Sequence, residues 1–215
     1  MARHTPDLKR RRHRREPKQR FVVLCEGEST EPAYFAALER TCSSALIEVE
    51  MVAGVGVPYT IARAAVERAR ALGLARRSRK SLNSFEERDE VWAVFDRDEH
   101  PRFNEAVALC QAKGVGVARS DPCFELWLIL HDEDYDRPDD RRAVQARLQQ
   151  LRPEYNRRGA KRPDSDDLVS RVEDAEQRGS VQLVRRQNEG IPYGRPSTTV
   201  GDLTRAIREA AKRAR

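Results

Sequence analysis

Over residues 20–135 short apolar strand-like runs alternate with longer segments whose apolar positions recur at helical spacing. Phe21 to Cys25 (FVVLC), Ala45 to Val52, Val91 to Phe95 (VWAVF) and Val115 to Ala118 read as strands. Between them, Glu31 to Arg40, Ile61 to Leu74 and Phe103 to Lys113 read as helices, the first entered through Ser29, Thr30 and Pro32 and the third stopped by Gly114. Runs that are apolar on every residue suit a parallel sheet covered on both faces. The order βαβαβαβ therefore predicts an α/β fold, a mostly parallel sheet with helices on both faces and right-handed crossovers.

Two stretches break the pattern. Ala75 to Glu90 is highly charged without a period and is expected to loop outward. From about residue 136 the chain turns to charged helical patterns, Asp139 to Leu151, Asp166 to Arg178 and Thr199 to Arg215, expected as a helical C-terminal part (136–215) packed on a core of residues 20–135.

Composition adds one asymmetry. The formal charge is +6, but residues 1–20 alone hold nine Lys or Arg against Asp7 and Glu16. The rest is nearly neutral, so residues 1–19 read as a disordered basic tail whose Arg10, Arg11 and Arg12 are candidate phosphate contacts. Such an arm gives nucleic-acid affinity that falls steeply with salt. No apolar run approaches the length of a membrane span, which predicts a cytoplasmic protein. Cys25, Cys42, Cys110 and Cys123 are scattered, as are the four histidines, and this argues for buried thiols over a zinc site.

The candidate chemistry lies where strands stop. In an open parallel sheet ligands bind beyond the carboxyl ends of the strands. The first strand runs into Glu26-Gly27-Glu28, and the third into Asp96-Arg97-Asp98. A third contribution is Glu125 in DPCFELWLILH, where Asp121 is read as an N-cap with Pro122 at the first helical position. Glu125 stands among Phe124, Leu126, Trp127, Leu128, Ile129 and Leu130, so a charge there needs a partner. Oxygen ligands only, few in number and open to water, suit Mg²⁺ or Mn²⁺ shared with a phosphodiester. Glu26, Asp96, Asp98 and Glu125 are the candidate metal and catalytic residues, and Arg97 a candidate phosphate contact.

The set VLCEGESTEPAYF, VWAVFDRDEH and SDPCFELWLILH, in that order, resembles the RloB family of restriction-linked, defence-associated proteins, and PSTTV at Pro196 to Val200 is similar to that family's C-terminal signature. The resemblance implies a Toprim-like core in which Glu26, Asp96 and Asp98 bind Mg²⁺ and carry strand scission, with Glu125 as a further ligand. It also implies an ABC- or AAA-type ATPase partner encoded alongside. In the related overcoming-lysogenization-defect nucleases a basic residue supports the transition state, and here that role falls on Arg157 or Lys161. The chain reads Tyr155-Asn156-Arg157 where that pattern has a tyrosine followed closely by lysine, and Asp121 and Arg195 stand where it has asparagine.

The leading expectation is thus a metal-dependent endonuclease in phage defence, acting on DNA or RNA. The alternative is a non-catalytic Toprim-like subunit that docks on an ATPase. A phosphatase using D-x-D takes that motif from the first strand, not the third, and no Walker A sequence is present for ATP hydrolysis by this chain.

Overall fold

The computed structural model describes residues 19–25, 27, 29–42, 46–51, 57–74, 89–97, 102–156 and 163–213. Four parallel strands, β1 (Arg20–Cys25), β2 (Leu46–Met51), β3 (Glu90–Asp96) and β4 (Gly116–Asp121), are joined by a two-residue strand, β5 (Ser197–Thr198), in the order β2-β1-β3-β4-β5. The predicted α/β class with a mostly parallel sheet is what forms. Only β5 runs antiparallel, pairing Thr198 with Ser120 and Ser197 with Asp121.

Strand alternation divides the core in two. Phe21, Val23 and Cys25 of β1, Val94 of β3 and Ala118 of β4 face one way, while Val22, Leu24, Val91, Ala93 and Phe95 face the other. The second face is covered by α2 (Pro58–Ala71) and α3 (Phe103–Ala112) through Ile61, Ala62, Ala65, Phe103, Ala106 and Cys110. The first is covered by α1 (Thr30–Thr41), the five-residue α4 (Glu125–Ile129) and the C-terminal helices α5 (Arg141–Leu151), α6 (Ser165–Ser170), α7 (Val172–Asn188) and α8 (Val200–Arg213). Trp127, Tyr34, Phe35 and Phe124 fill this side with edge-to-face and tilted ring contacts. Both faces exclude water, which explains why residues 21–25 of β1 and residues 91–95 of β3 are apolar at every position.

The first face also buries hydrogen-bonded polar groups. His131 Nδ1 donates to the Trp127 carbonyl (2.9 Å), and its Nε2 accepts from the Tyr34 hydroxyl (3.0 Å). Burial pushes the imidazole pKa down to about 4, so the ring is neutral at physiological pH. Between α7 and α8, Glu176 accepts from Thr204 (2.9 Å) and Arg208 (2.6 Å).

Three local expectations change. Asp121 is not an N-cap. It is the last residue of β4, and α4 starts at Glu125 behind Phe124. A residue before proline is held in extended backbone, which favours continuing the strand. The single helix expected from Asp166 to Arg178 is two, broken at Arg171, and the second continues to Asn188. Pro196 to Val200 supplies β5 and the entrance to α8: Ser120 and Thr198 hydroxyls meet at 2.9 Å, and Arg119 and Thr199 exchange bonds at 2.9 and 3.0 Å.

Candidate functional site

The carboxyl edge of the sheet carries two constellations, one on each face. Asp96 ends β3 on the side of Val94, toward α1 and α4. Cys25 pairs with Val94, so the chain leaving β1 at Gly27 passes beside it. A Cβ on Gly27 would lie 1.9 Å from Glu31 Oε2, so the Glu31 carboxylate rests against that backbone and would have to swing aside for any larger residue. Glu125 enters from the first turn of α4, and Arg141 from the first turn of α5, whose N-cap Asp140 accepts from the Ala143 amide at 2.9 Å.

These residues line a cavity of about 140 Å³ that includes Gly27, Thr30, Glu31, Asp96, Glu125 and Arg141. That is room for several waters, each taking about 30 Å³. Arg141 Nη2 donates to Asp96 Oδ2 at 2.5 Å. Glu125 Oε1 accepts from Tyr155 Oη (2.7 Å) and Gln145 Nε2 (3.0 Å), which fixes its orientation with neutral donors. Burial, then the Glu125 charge, pushes the Tyr155 phenol pKa up, so it stays a donor. Cys123 lies behind the pocket with its pKa held well above the usual thiol value by burial and by Glu125 and Asp96; it is not a thiolate nucleophile.

Asp96 and Glu125, predicted from positions far apart in the chain, therefore face one cavity. Glu26, Glu28, Asp98, Arg157, Lys161, Arg10, Arg11 and Arg12 lie outside the described residues. Among the described residues no group of three His, Cys, Asp or Glu side chains meets at one point. Of the three carboxylates that line the cavity, Glu31, Asp96 and Glu125, one or two would be enough for Mg²⁺ or Mn²⁺, which keep several waters. Sequence reasoning missed Glu31, Arg141 and Gln145. The one available signal for the last two is their i, i+4 spacing on α5, which sets both on one side of that helix.

The other face holds Arg97, which follows Asp96 and so points the opposite way. Its amide continues the ladder to the Ser120 carbonyl (2.7 Å), and its guanidinium lies 5.6 Å from the Phe103 ring. Arg97 Nη1 reaches Asp121 Oδ2 at 3.3 Å, and Arg195 Nε reaches Asp121 Oδ1 at 2.6 Å. The two positions where asparagine is the expected residue, 121 and 195, thus form an ion pair in this chain. Among the described residues no helix is long and apolar enough to cross a membrane.

Nothing among curated proteins or among solved structures matches the chain. The family model described as RloB-like protein matches residues 21–207, a span that runs from β1 into α8 and contains both constellations. The chain belongs to the RloB-like protein family.

Proposed function

We propose that this chain is a metal-dependent nuclease that cleaves phosphodiester bonds in DNA or RNA, with the acidic cavity as its active site. The observation that supports it is the convergence of Asp96 and Glu125, from a strand end and a separate helix, on one cavity at the carboxyl edge of a parallel sheet. Asp96 and Glu125 hold the metal, and Glu26 and Asp98 are assigned as further ligands, Glu26 doubling as a candidate general base. Bound Mg²⁺ or Mn²⁺ supplies Lewis-acid polarisation of the phosphate and an activated water. Tyr155 and Gln145 keep Glu125 aimed into the cavity. Arg141, at the cavity wall, takes the basic role expected of Arg157 or Lys161, offering N–H donors to a phosphate oxygen. A defence role alongside an ATPase belongs to the same proposal and rests on the family resemblance.

The 2.5 Å pairing of Asp96 with Arg141 favours a second reading, a non-catalytic subunit in which that ion pair is structural. One experiment separates the two. Purified protein is incubated with DNA and with total RNA, with Mg²⁺, Mn²⁺ or chelator, beside Asp96→Ala. Metal-dependent cleavage lost in the variant is the expected result; no cleavage by the wild type with any metal sinks the nuclease reading.

A further inference from the structure

The face opposite the acidic cavity carries an arrangement with no role in the chemistry above. Three arginines crowd a single carboxylate there: Arg97 and Arg195 both bind Asp121, and Arg119, two residues earlier on the same side of β4, lies with its guanidinium carbon 3.7 Å from the centre of the Tyr193 ring. Among the described residues, one carboxylate here faces three guanidinium groups. Arg97 and Arg195 are more than a third exposed, so both reach solvent while holding Asp121.

Tyr193 is the second observation. Its φ is +61°, a region that bulky side chains rarely adopt, and its side chain is nearly half exposed where an aromatic ring gains nothing from water. Two hydrogen bonds flank it: Arg97 Nη1 donates to the Tyr193 carbonyl at 3.4 Å, and the amide of the next residue, Gly194, donates to the Ile191 carbonyl at 2.7 Å. A half-exposed ring backed on one face by the Arg119 guanidinium, on a turn with a positive φ whose carbonyl Arg97 binds, is a stacking platform with phosphate donors alongside.

We propose that Tyr193, Arg97, Arg119 and Arg195 form a binding site for one nucleotide of a single-stranded nucleic acid, the base stacking on Tyr193 and its phosphate taken by Arg97 and Arg195. A base inside a duplex has no free face to offer, so the ligand is single-stranded or locally opened. Arg97 is covalently next to Asp96, about 3.8 Å away along the chain, so a strand held here leads over the sheet edge to the acidic cavity. The site deepens the nuclease reading and rests on it only for that placement.

The test is fluorescence anisotropy in chelator, where nothing is cleaved, with a short labelled single strand and the same sequence as a blunt duplex. Tyr193→Ala is expected to weaken single-strand binding about tenfold, the scale of one lost stacking contact, with little change for the duplex, and Tyr193→Phe to restore it. Single-strand affinity within about twofold of wild type in Tyr193→Ala, an equal loss on duplex, or no wild-type binding overturns the site. Tyr193-dependent binding by a protein that cleaves nothing leaves the site standing and removes the nuclease reading. Asp96-dependent cleavage with no effect of Tyr193→Ala does the reverse.

Discussion

The two faces of one sheet edge, separated by the single peptide step from Asp96 to Arg97, are built for different tasks. Toward α1, α4 and α5 the edge is a walled cavity in which carboxylates are held by Arg141, Tyr155 and Gln145. Toward α3 it is an open rim where, among the described residues, arginines outnumber the one carboxylate they hold, Asp121. The cores beneath differ in the same sense. The α2 and α3 side joins one pair of phenylalanine rings, Phe95 and Phe103, to mostly aliphatic side chains and buries no titratable acid or histidine among its described residues, whereas the other side buries His131, Glu176, Gln182 and Thr204 beside large aromatic rings. A strand's period of two is enough to place an acidic pocket and a basic surface at adjacent residues.

The largest contrast comes from substituting across that step. Asp96→Ala is expected to abolish metal-dependent cleavage and leave nucleic-acid affinity in chelator unchanged, which cleavage and anisotropy measurements check side by side. Arg141→Ala should lower kcat by about 10² to 10³, the usual loss for one donor aimed at developing charge. An Arg141→Ala variant with wild-type kcat would assign that arginine to structure alone.

Next come the cores. Ile61→Ala, fully buried in the core under α2 and α3, should cost about 2–5 kcal/mol in denaturant titration, with no dependence on mildly acid pH. The aromatic side behaves differently because His131 is buried neutral. Its folded pKa, about 4, lies below the unfolded 6.5, so the unfolded chain binds the extra proton first. The contribution is complete above about pH 6.5 and lost as pH falls toward 4, up to roughly 3 kcal/mol. His131→Gln should flatten the stability curve between about pH 6.5 and pH 5, the part of the window above the usual carboxylate range. An unchanged slope there would mean that another group carries the acid sensitivity. The smallest effect is expected at the rim, where Arg97→Gln should reduce the salt slope of nucleic-acid binding by about one.

What was legible in the sequence follows from how locally each feature is determined. FVVLC and VWAVF announce buried parallel strands because every position in them is apolar, and the strands form within a residue of where that pattern places them. β5 gave no such signal: two residues, Ser197 and Thr198, become a strand only because Ser120 and Asp121 are there to pair with. Asp121 before Pro122 looks like a helix cap, yet two arginines from distant segments hold its carboxylate. Within the site, Asp96 and Glu125 stood out because acids next to apolar runs are anomalous. Arg141 did not, since nothing local separates it from Arg142 on the same charged helix; the fold turns only Arg141 onto Asp96. Residue types that conflict with their surroundings can be read from sequence, and those that agree with theirs need the fold.

The most direct test is Mn²⁺ binding followed by electron paramagnetic resonance on wild type, Asp96→Ala and Arg97→Gln. The account predicts that Asp96→Ala weakens Mn²⁺ binding at least about tenfold, the scale on which even supporting residues of a metal site act, while Arg97→Gln binds as wild type does. Undiminished Mn²⁺ affinity in Asp96→Ala, or the same loss in both variants, would contradict a metal centre confined to the acidic face.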